Sequence, residues 1–232
     1  MGDFEQISFR SDQFSGRARL FPLPNLVLFP HVMQPLHVFE PRYRELVEEA
    51  LDGDRLMALA LLSPGWEKDY EGRPPIYPTA CLSVIAKHTR LDDGRYNLLL
   101  VGVRRIRIER ELPPDRPFRV AEAGIVEDHF PHDQAPARPA LQRRLIERFR
   151  ALLPQVPEAR EQLEQLLRDE VPLGILTDIM AYTLDLDVAV KIQLLGEPNV
   201  DARARMLVDI LAQARAARSK LPGGWPPKFS EN

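Results

Sequence analysis

Between Leu20 and Leu51 the spacing of apolar residues changes from one kind to another. The first part, LFPLPNLVLFPHVMQPLHVF, sets short apolar runs between prolines at 22, 24, 30 and 35. Proline cannot donate to a strand ladder, so these runs predict short edge strands and tight crossings and not a central strand. From Tyr43 the spacing is helical: Tyr43, Leu46, Val47, Ala50 and Leu51 follow i, i+3, i+4, i+7 and i+8 on one face. Pro41 suits the first helical turn and Gly53 the stop. Glu40 falls beside the helix N-terminus, where a carboxylate gains about 0.3–1 kcal/mol from the dipole, a structural role.

Beyond the helix, Arg55 to Leu62 (RLMALALL) is too short for a helix after Gly53 and reads as a buried strand. Residues 63–79 form a long loop with Trp66, Tyr70 and Tyr77 among six prolines and glycines, and long loops in compact domains are often functional. Cys81 to His88 is a strand that turns through Asp92-Asp93-Gly94 into Tyr96 to Val101. Gly102 marks a bulge or a close backbone approach. Arg105, Arg107 and Glu109 alternate with Ile106 and Ile108, the pattern of a strand with one solvated face. Phe118 to Glu127 is the last strand. The segment 128–139, DHFPHDQAPARP, has three prolines and little to bury, which places a domain boundary there.

After that boundary the period is helical. Leu141, Leu145, Phe149 and Leu152 form one stripe, Leu163, Leu166 and Leu167 a second, and Leu176, Ile179, Met180 and Thr183 a third. Asp187 and Asn199 suit the N-caps of two further helices, the second with Val200, Ala204, Leu207 and Leu211 inward. The expected division is therefore a β-rich domain over 1–131 with a loose lead-in at 1–16, a helical bundle over 136–221, and a tail over 222–232.

Several of these stretches carry a resemblance. Pro22-Leu23, Val27-Leu28-Phe29-Pro30, Pro35-Leu36, Phe39-Glu40-x-Arg42-Tyr43 and Gly102-x-x-Arg105-Ile106-Arg107-Ile108 resemble the N-terminal, substrate-binding domain of Lon proteases. A weaker likeness continues in Gly174, Asp178, Lys191-x-Gln193-Leu194-Leu195 and Arg203-x-x-x-Leu207, with Ile192 where the family usually has Gln. The resemblance covers roughly 18–215 and implies an α+β fold: a PUA-like pseudo-barrel of strands with one early helix, followed by a C-terminal helical bundle. It implies the form without the ATPase and Ser/Lys protease modules, which do not fit in this chain.

Composition narrows the picture. The 232 residues, 44% hydrophobic and 28% charged, suffice for one large domain or two small ones with real cores. No apolar run approaches the ~18 residues of a membrane span, and the start MGDFEQISFRSDQF is polar where a signal peptide would be basic then apolar, so a cytoplasmic protein without membrane attachment is expected. The single cysteine, Cys81, allows neither an intramolecular disulfide nor a cysteine zinc site, and its apolar run makes it a buried thiol. A net charge of −3 disfavours a strongly basic nucleic-acid binder, although 26 of the 31 basic residues are arginine.

The chain carries few motifs of known chemistry. The sequence contains no GxxxxGK[ST], GxSxG or GxGxxG. His129 and His132 between Asp128 and Asp133 are the best metal-like cluster, and a polar interdomain loop explains them better. His31 and His37 read as structural or surface histidines. Glu122 and Glu127, five residues apart on a strand, fall on opposite faces and cannot act as a pair. Arg104, Arg105, Arg107 and Arg110 are the densest basic run, but Glu109 and Glu111 dilute it and no aromatic interleaves to stack a base.

The resulting expectation is a non-enzymatic protein- and peptide-binding module without catalytic residues, cofactor or metal. What the resemblance implies is recognition of unfolded or hydrophobic polypeptide segments, as an adaptor or regulator in proteolysis with a protease or chaperone as further partner. The alternatives are an RNA-binding PUA-like module using the Arg104–Arg110 strand, and a hydrolase with no recognisable motif. The apolar side chains left unclaimed by strands and stripes, Phe29, Met33, Trp66, Tyr70 and Tyr77, are the candidate polypeptide-binding residues. For the loop aromatics, a lid over the barrel core is the competing reading.

Overall fold

The computed structural model describes residues 9–70, 72–152 and 171–219. The expected stripe at Leu163, Leu166 and Leu167 and the tail 222–232 lie outside the described residues. The chain divides into two compact units: residues up to His129 together with Gly174–Pro198, and Phe130–Leu173 together with residues from Asn199 onward. The expected division put everything from 136 to 221 in one bundle; in the structure, 174–198 pack with the strands instead.

The first unit holds six strands, β1 (Arg17–Leu23), β2 (Met33–Val38), β3 (Leu56–Leu62), β4 (Ile76–Arg90), β5 (Tyr96–Glu111) and β6 (Arg119–Val126). Their order is β2-β5-β4-β3-β1-β6, and β5 also pairs with β6, so β1, β3, β4, β5 and β6 close a barrel. All pairs are antiparallel except β1 with β3. A five-stranded barrel has a narrow interior. Small side chains fill it accordingly: Ala18, Ala58, Ala60, Ala80, Ala121 and Ala123 share the core with Leu20, Leu56, Leu82, Val103 and Ile106. Phe9 and Phe14 pack against the same core, so the second half of the expected loose lead-in is docked.

The prolines sit where a missing N–H is harmless. β2 pairs only with the first half of β5, Met33 opposite Val101 through Val38 opposite Tyr96, so Pro35 is on an edge strand. Pro22 lies on β1 beyond the stretch Arg17–Leu20 that pairs with β6. β3 is buried along its whole length because both its faces are covered. Helix α1 (Pro41–Asp52) starts with Pro41 and stops at Gly53, buries Tyr43, Leu46, Val47 and Ala50, and stacks Tyr43 on Phe21 of β1 at 4.2 Å between ring centroids. Arg19 of β1 ties its other end through Glu49 (3.0 Å) and Asp54 (2.7 Å).

Helices α3 (Leu173–Thr183) and α4 (Val188–Gly196) belong to this unit from Gly174 onward. Their anchor corrects the reading of Arg105 as part of a solvated face. Arg105 is 3% exposed; Nε donates to the Leu195 carbonyl (3.0 Å), Nη1 to Asp128 (3.1 Å) and Nη2 to Asp178 of α3. Strand alternation says that Arg105 points away from the barrel interior, but not that helices cover that outer face. In the second unit, α2 (Arg138–Leu152) packs along α5 (Val200–Ser219). Leu145 and Phe149 are buried on α2, and Val200, Ala204, Leu207 and Leu211 on α5. Asn199 caps α5 through Oδ1 and the Ala202 amide (3.0 Å), and Arg138 forks onto the buried Asp201 at 2.8 and 2.7 Å.

Candidate functional site

The segment 24–32 between β1 and β2 has no regular structure, because Pro24 and Pro30 interrupt both helix and ladder. It is held by a backbone clamp: the His31 amide donates to the Gly102 carbonyl (2.8 Å) and the Gly102 amide to the Val32 carbonyl (2.9 Å). A Cβ at Gly102 would collide with the Phe29 carbonyl oxygen, so this approach requires glycine. Val27, Leu28 and Phe29 are buried beneath the segment, while Asn25 is exposed and Leu26 half-buried at its tip.

Facing that tip is the α3–α4 junction. Asn25, Leu26 and Val27 form one wall, and Tyr182, Thr183, Asp185, Leu186, Asp187, Val188 and Lys191 the other, of an open groove of about 670 Å³. That volume lies within the range of ordinary ligand clefts, about 300–1,000 Å³. The walls are fixed. The Tyr182 hydroxyl donates to Gln34 Oε1 of β2 (2.6 Å), and Lys191 Nζ donates to the Tyr182 carbonyl (2.9 Å) at the C-terminal end of α3. Burial pushes the Lys191 ammonium pKa down, against the Asp185 carboxylate, which raises it. The Asp187 carbonyl accepts from the Val190 and Lys191 amides and starts α4. Thr183 Oγ1 donates to the Ile179 carbonyl (2.7 Å). Thr183 and Lys191, the groove's hydroxyl and amine, thus both donate to helix carbonyls.

The five residues expected to bind polypeptide do not converge. Phe29 is fully buried beside the Gly102 clamp and is withdrawn from the set. Met33 is 51% exposed at the start of β2, next to Gln34. Trp66 and Tyr70 contact each other edge to face at 5.6 Å between ring centroids, and the Tyr70 hydroxyl donates to Glu40 Oε1 (2.7 Å) just beyond the other end of β2. Seven residues of extended chain separate Met33 from Glu40, roughly 20 Å. Arg42 stacks between Tyr43 and Tyr70, at 4.8 and 5.2 Å, and bonds Glu40 (3.0 Å). The loop therefore folds back on the start of α1, and Tyr77 belongs to β4. Glu40 is the N-cap residue, but its carboxylate serves Arg42 and Tyr70 in place of the helix amides.

The arginine run is largely committed. Arg105 is buried, Arg104 faces Glu127 (3.6 Å) and Arg110 pairs with Glu122 (2.6 Å), leaving Arg107 exposed. Among the described residues, no group of three His, Cys, Asp or Glu could hold a metal ion; the His129 amide donates to the Pro198 carbonyl (2.8 Å). Burial pushes the Cys81 thiol pKa well up. Among the described residues, no helix is long and apolar enough to cross a membrane.

Sequence reasoning missed the groove's second wall. From the sequence Asp187 reads only as a helix cap and Lys191 only as part of a motif, since nothing in local spacing says that the α3–α4 junction faces residues 25–27.

Comparison with known proteins gives one consistent result. The family model of the substrate-binding domain of ATP-dependent protease La (Lon) matches residues 17–213. Lon protease 2 of Myxococcus xanthus is 24% identical over 196 residues, covering 84% of this chain and 23% of that protein. The chain spans between 14% and 25% of the length of the Lon proteases it matches. The N-terminal domain of a Mycobacterium avium complex Lon protease superposes with a TM-score of 0.66 at 20% identity, covering 84% of this chain and 98% of that one. A Lon N-terminal domain protein from Xanthomonas campestris gives 0.55 at 22% identity, covering 89% and 99%.

Proposed function

Because this chain belongs to the family of Lon substrate-binding domains, we propose that it is a non-enzymatic recognition module for unfolded or hydrophobic polypeptide segments, with the groove between Asn25–Val27 and Tyr182–Lys191 as its binding site. The observation that carries the reading is that open groove, in which Leu26, Val27, Tyr182, Leu186 and Val188 alternate with Asn25, Thr183, Asp185, Asp187 and Lys191. The backbone clamp at Gly102 and the Tyr182–Gln34 hydrogen bond hold the walls before any segment arrives, which lowers the ordering cost of binding. An unfolded segment gains affinity by inserting apolar side chains that its folded form hides. Edge strand β2 is an unsuitable docking rail, since Pro35 lacks the outward donor that strand addition needs.

Recognition by such a groove has no use for nucleotide hydrolysis, and a bound segment would pass to a protease or chaperone, which makes the module an adaptor or regulator. The test is fluorescence anisotropy of the purified chain with a reduced, carboxymethylated protein and with its native form. The unfolded form alone should bind, with affinity falling less than about threefold from low to moderate salt, since few charges are neutralised. Failure to bind the unfolded form, or tight RNA binding that collapses steeply with salt, would overturn the reading.

A further inference from the structure

The groove is asymmetric in charge. Its loop wall, Asn25 to Val27, is uncharged, and its helical wall carries Asp185, Asp187 and Lys191. Both aspartates are exposed, and among the described residues neither carboxylate has a salt-bridge partner. Asp187 occupies the N-cap of α4, where a carboxylate ordinarily accepts from the first-turn amides; here its side chain makes no such bond and remains at the rim. Lys191 is occupied elsewhere. Its ammonium donates to the Tyr182 carbonyl, lies 5.8 Å from the centroid of the Tyr182 ring, and sits at the negative end of α3. The groove's apolar side chains are thus edged by two exposed carboxylates, of which Asp185 is felt by Lys191, while the Lys191 ammonium is turned onto the protein's own backbone.

We propose that this groove selects apolar segments flanked by lysine or arginine over the same segments flanked by aspartate or glutamate. The inference rests on the polypeptide-binding reading and adds its specificity. An apolar groove alone is indifferent to what flanks the inserted side chains; two rim carboxylates attract a basic flank and repel an acidic one. Exposed rim charges act chiefly on encounter rate and on rejection of wrong partners, so the discrimination should be modest and sensitive to salt. Arginine has the further advantage of binding a carboxylate in bidentate fashion.

The experiment uses the intact chain and three fluorescein-labelled synthetic peptides that share one Leu/Phe/Val-rich centre and are flanked by lysines, serines or glutamates. At low salt the lysine-flanked peptide should bind about tenfold tighter than the glutamate-flanked one, with the serine-flanked peptide between, and the ratio should shrink as salt is raised. In the double variant Asp185→Asn/Asp187→Asn the ratio should fall below about twofold, with the melting temperature unchanged. Equal binding of all three peptides by the wild type, or a preference that survives in the double variant, would overturn this inference and leave polypeptide binding standing. Binding of none of the three would overturn both.

Discussion

The guanidinium of Arg105 on β5 meets the carboxylate of Asp178 on α3 with both side chains almost completely enclosed, 4% and 0% exposed. With the bonds from Arg105 to Asp128 and to the Leu195 carbonyl, this contact fastens α3 and α4 to the outer face of the barrel. The groove depends on it, because Tyr182 to Lys191 form its second wall. Arg105→Ala would take the guanidinium from a buried carboxylate and should cost about 3–5 kcal/mol in urea unfolding. Arg105→Met with Asp178→Leu should recover much of that loss, since a packed apolar pair can match a buried ion pair in stability.

A second prediction concerns alkaline pH. Burial, helped by the charges of Glu40 and Tyr70 and opposed by Arg42 and Arg119, raises the Tyr43 hydroxyl to about 12 from a usual 10.0. A raised folded-state pKa means that the folded protein favours the protonated phenol. The associated stability is complete below pH 10 and is lost as pH rises from about 10 toward 12. Unfolding free energies of wild type and Tyr43→Phe, compared at pH 8 and at pH 11.5, should converge with the steeper fall in wild type, the loss amounting to about 2–3 kcal/mol when titration is complete. Parallel pH curves would show that Tyr43 is not responsible.

Gly102→Ala tests the clamp. The added methyl would meet the Phe29 carbonyl, and relief would break the paired bonds to His31 and Val32. A cost of about 3 kcal/mol or more is expected, at the upper end for overpacking, together with faster amide exchange at His31. A near-neutral substitution would mean that the backbone can move aside.

These residues also show what could be read from the sequence. The four prolines, Pro41 and Gly53 at the ends of α1, the Gly94 turn and the Gly102 approach all express local rules, each governed by backbone chemistry at that position, and each has a matching feature in the fold. The burial of Arg105 is not legible because alternation reports which side of a strand a residue takes, whereas the cover over that side comes from helices far along the chain. Phe29 is ambiguous for a similar reason: an apolar residue beside prolines can be exposed at a crossing or pinned under it, and the Gly102 contact decides. The groove was hidden because Leu26 and Leu186 become neighbours only through the barrel and the buried Arg105–Asp178 pair.

The central claim, that the groove binds unfolded polypeptide, is tested most directly by the affinity of a reduced, carboxymethylated protein for three forms of the chain. These are wild type, Leu26→Ser/Leu186→Ser on the groove, and Trp66→Ala/Tyr70→Ala on the loop that folds onto α1. The groove variant should bind at least about tenfold more weakly with its melting temperature nearly unchanged. The loop variant should melt lower, for want of the Tyr70–Glu40 bond, and bind within about twofold of wild type per folded molecule. Wild-type affinity in the groove variant, or lost binding with unchanged melting in the loop variant, would contradict the account and move the site to Trp66 and Tyr70.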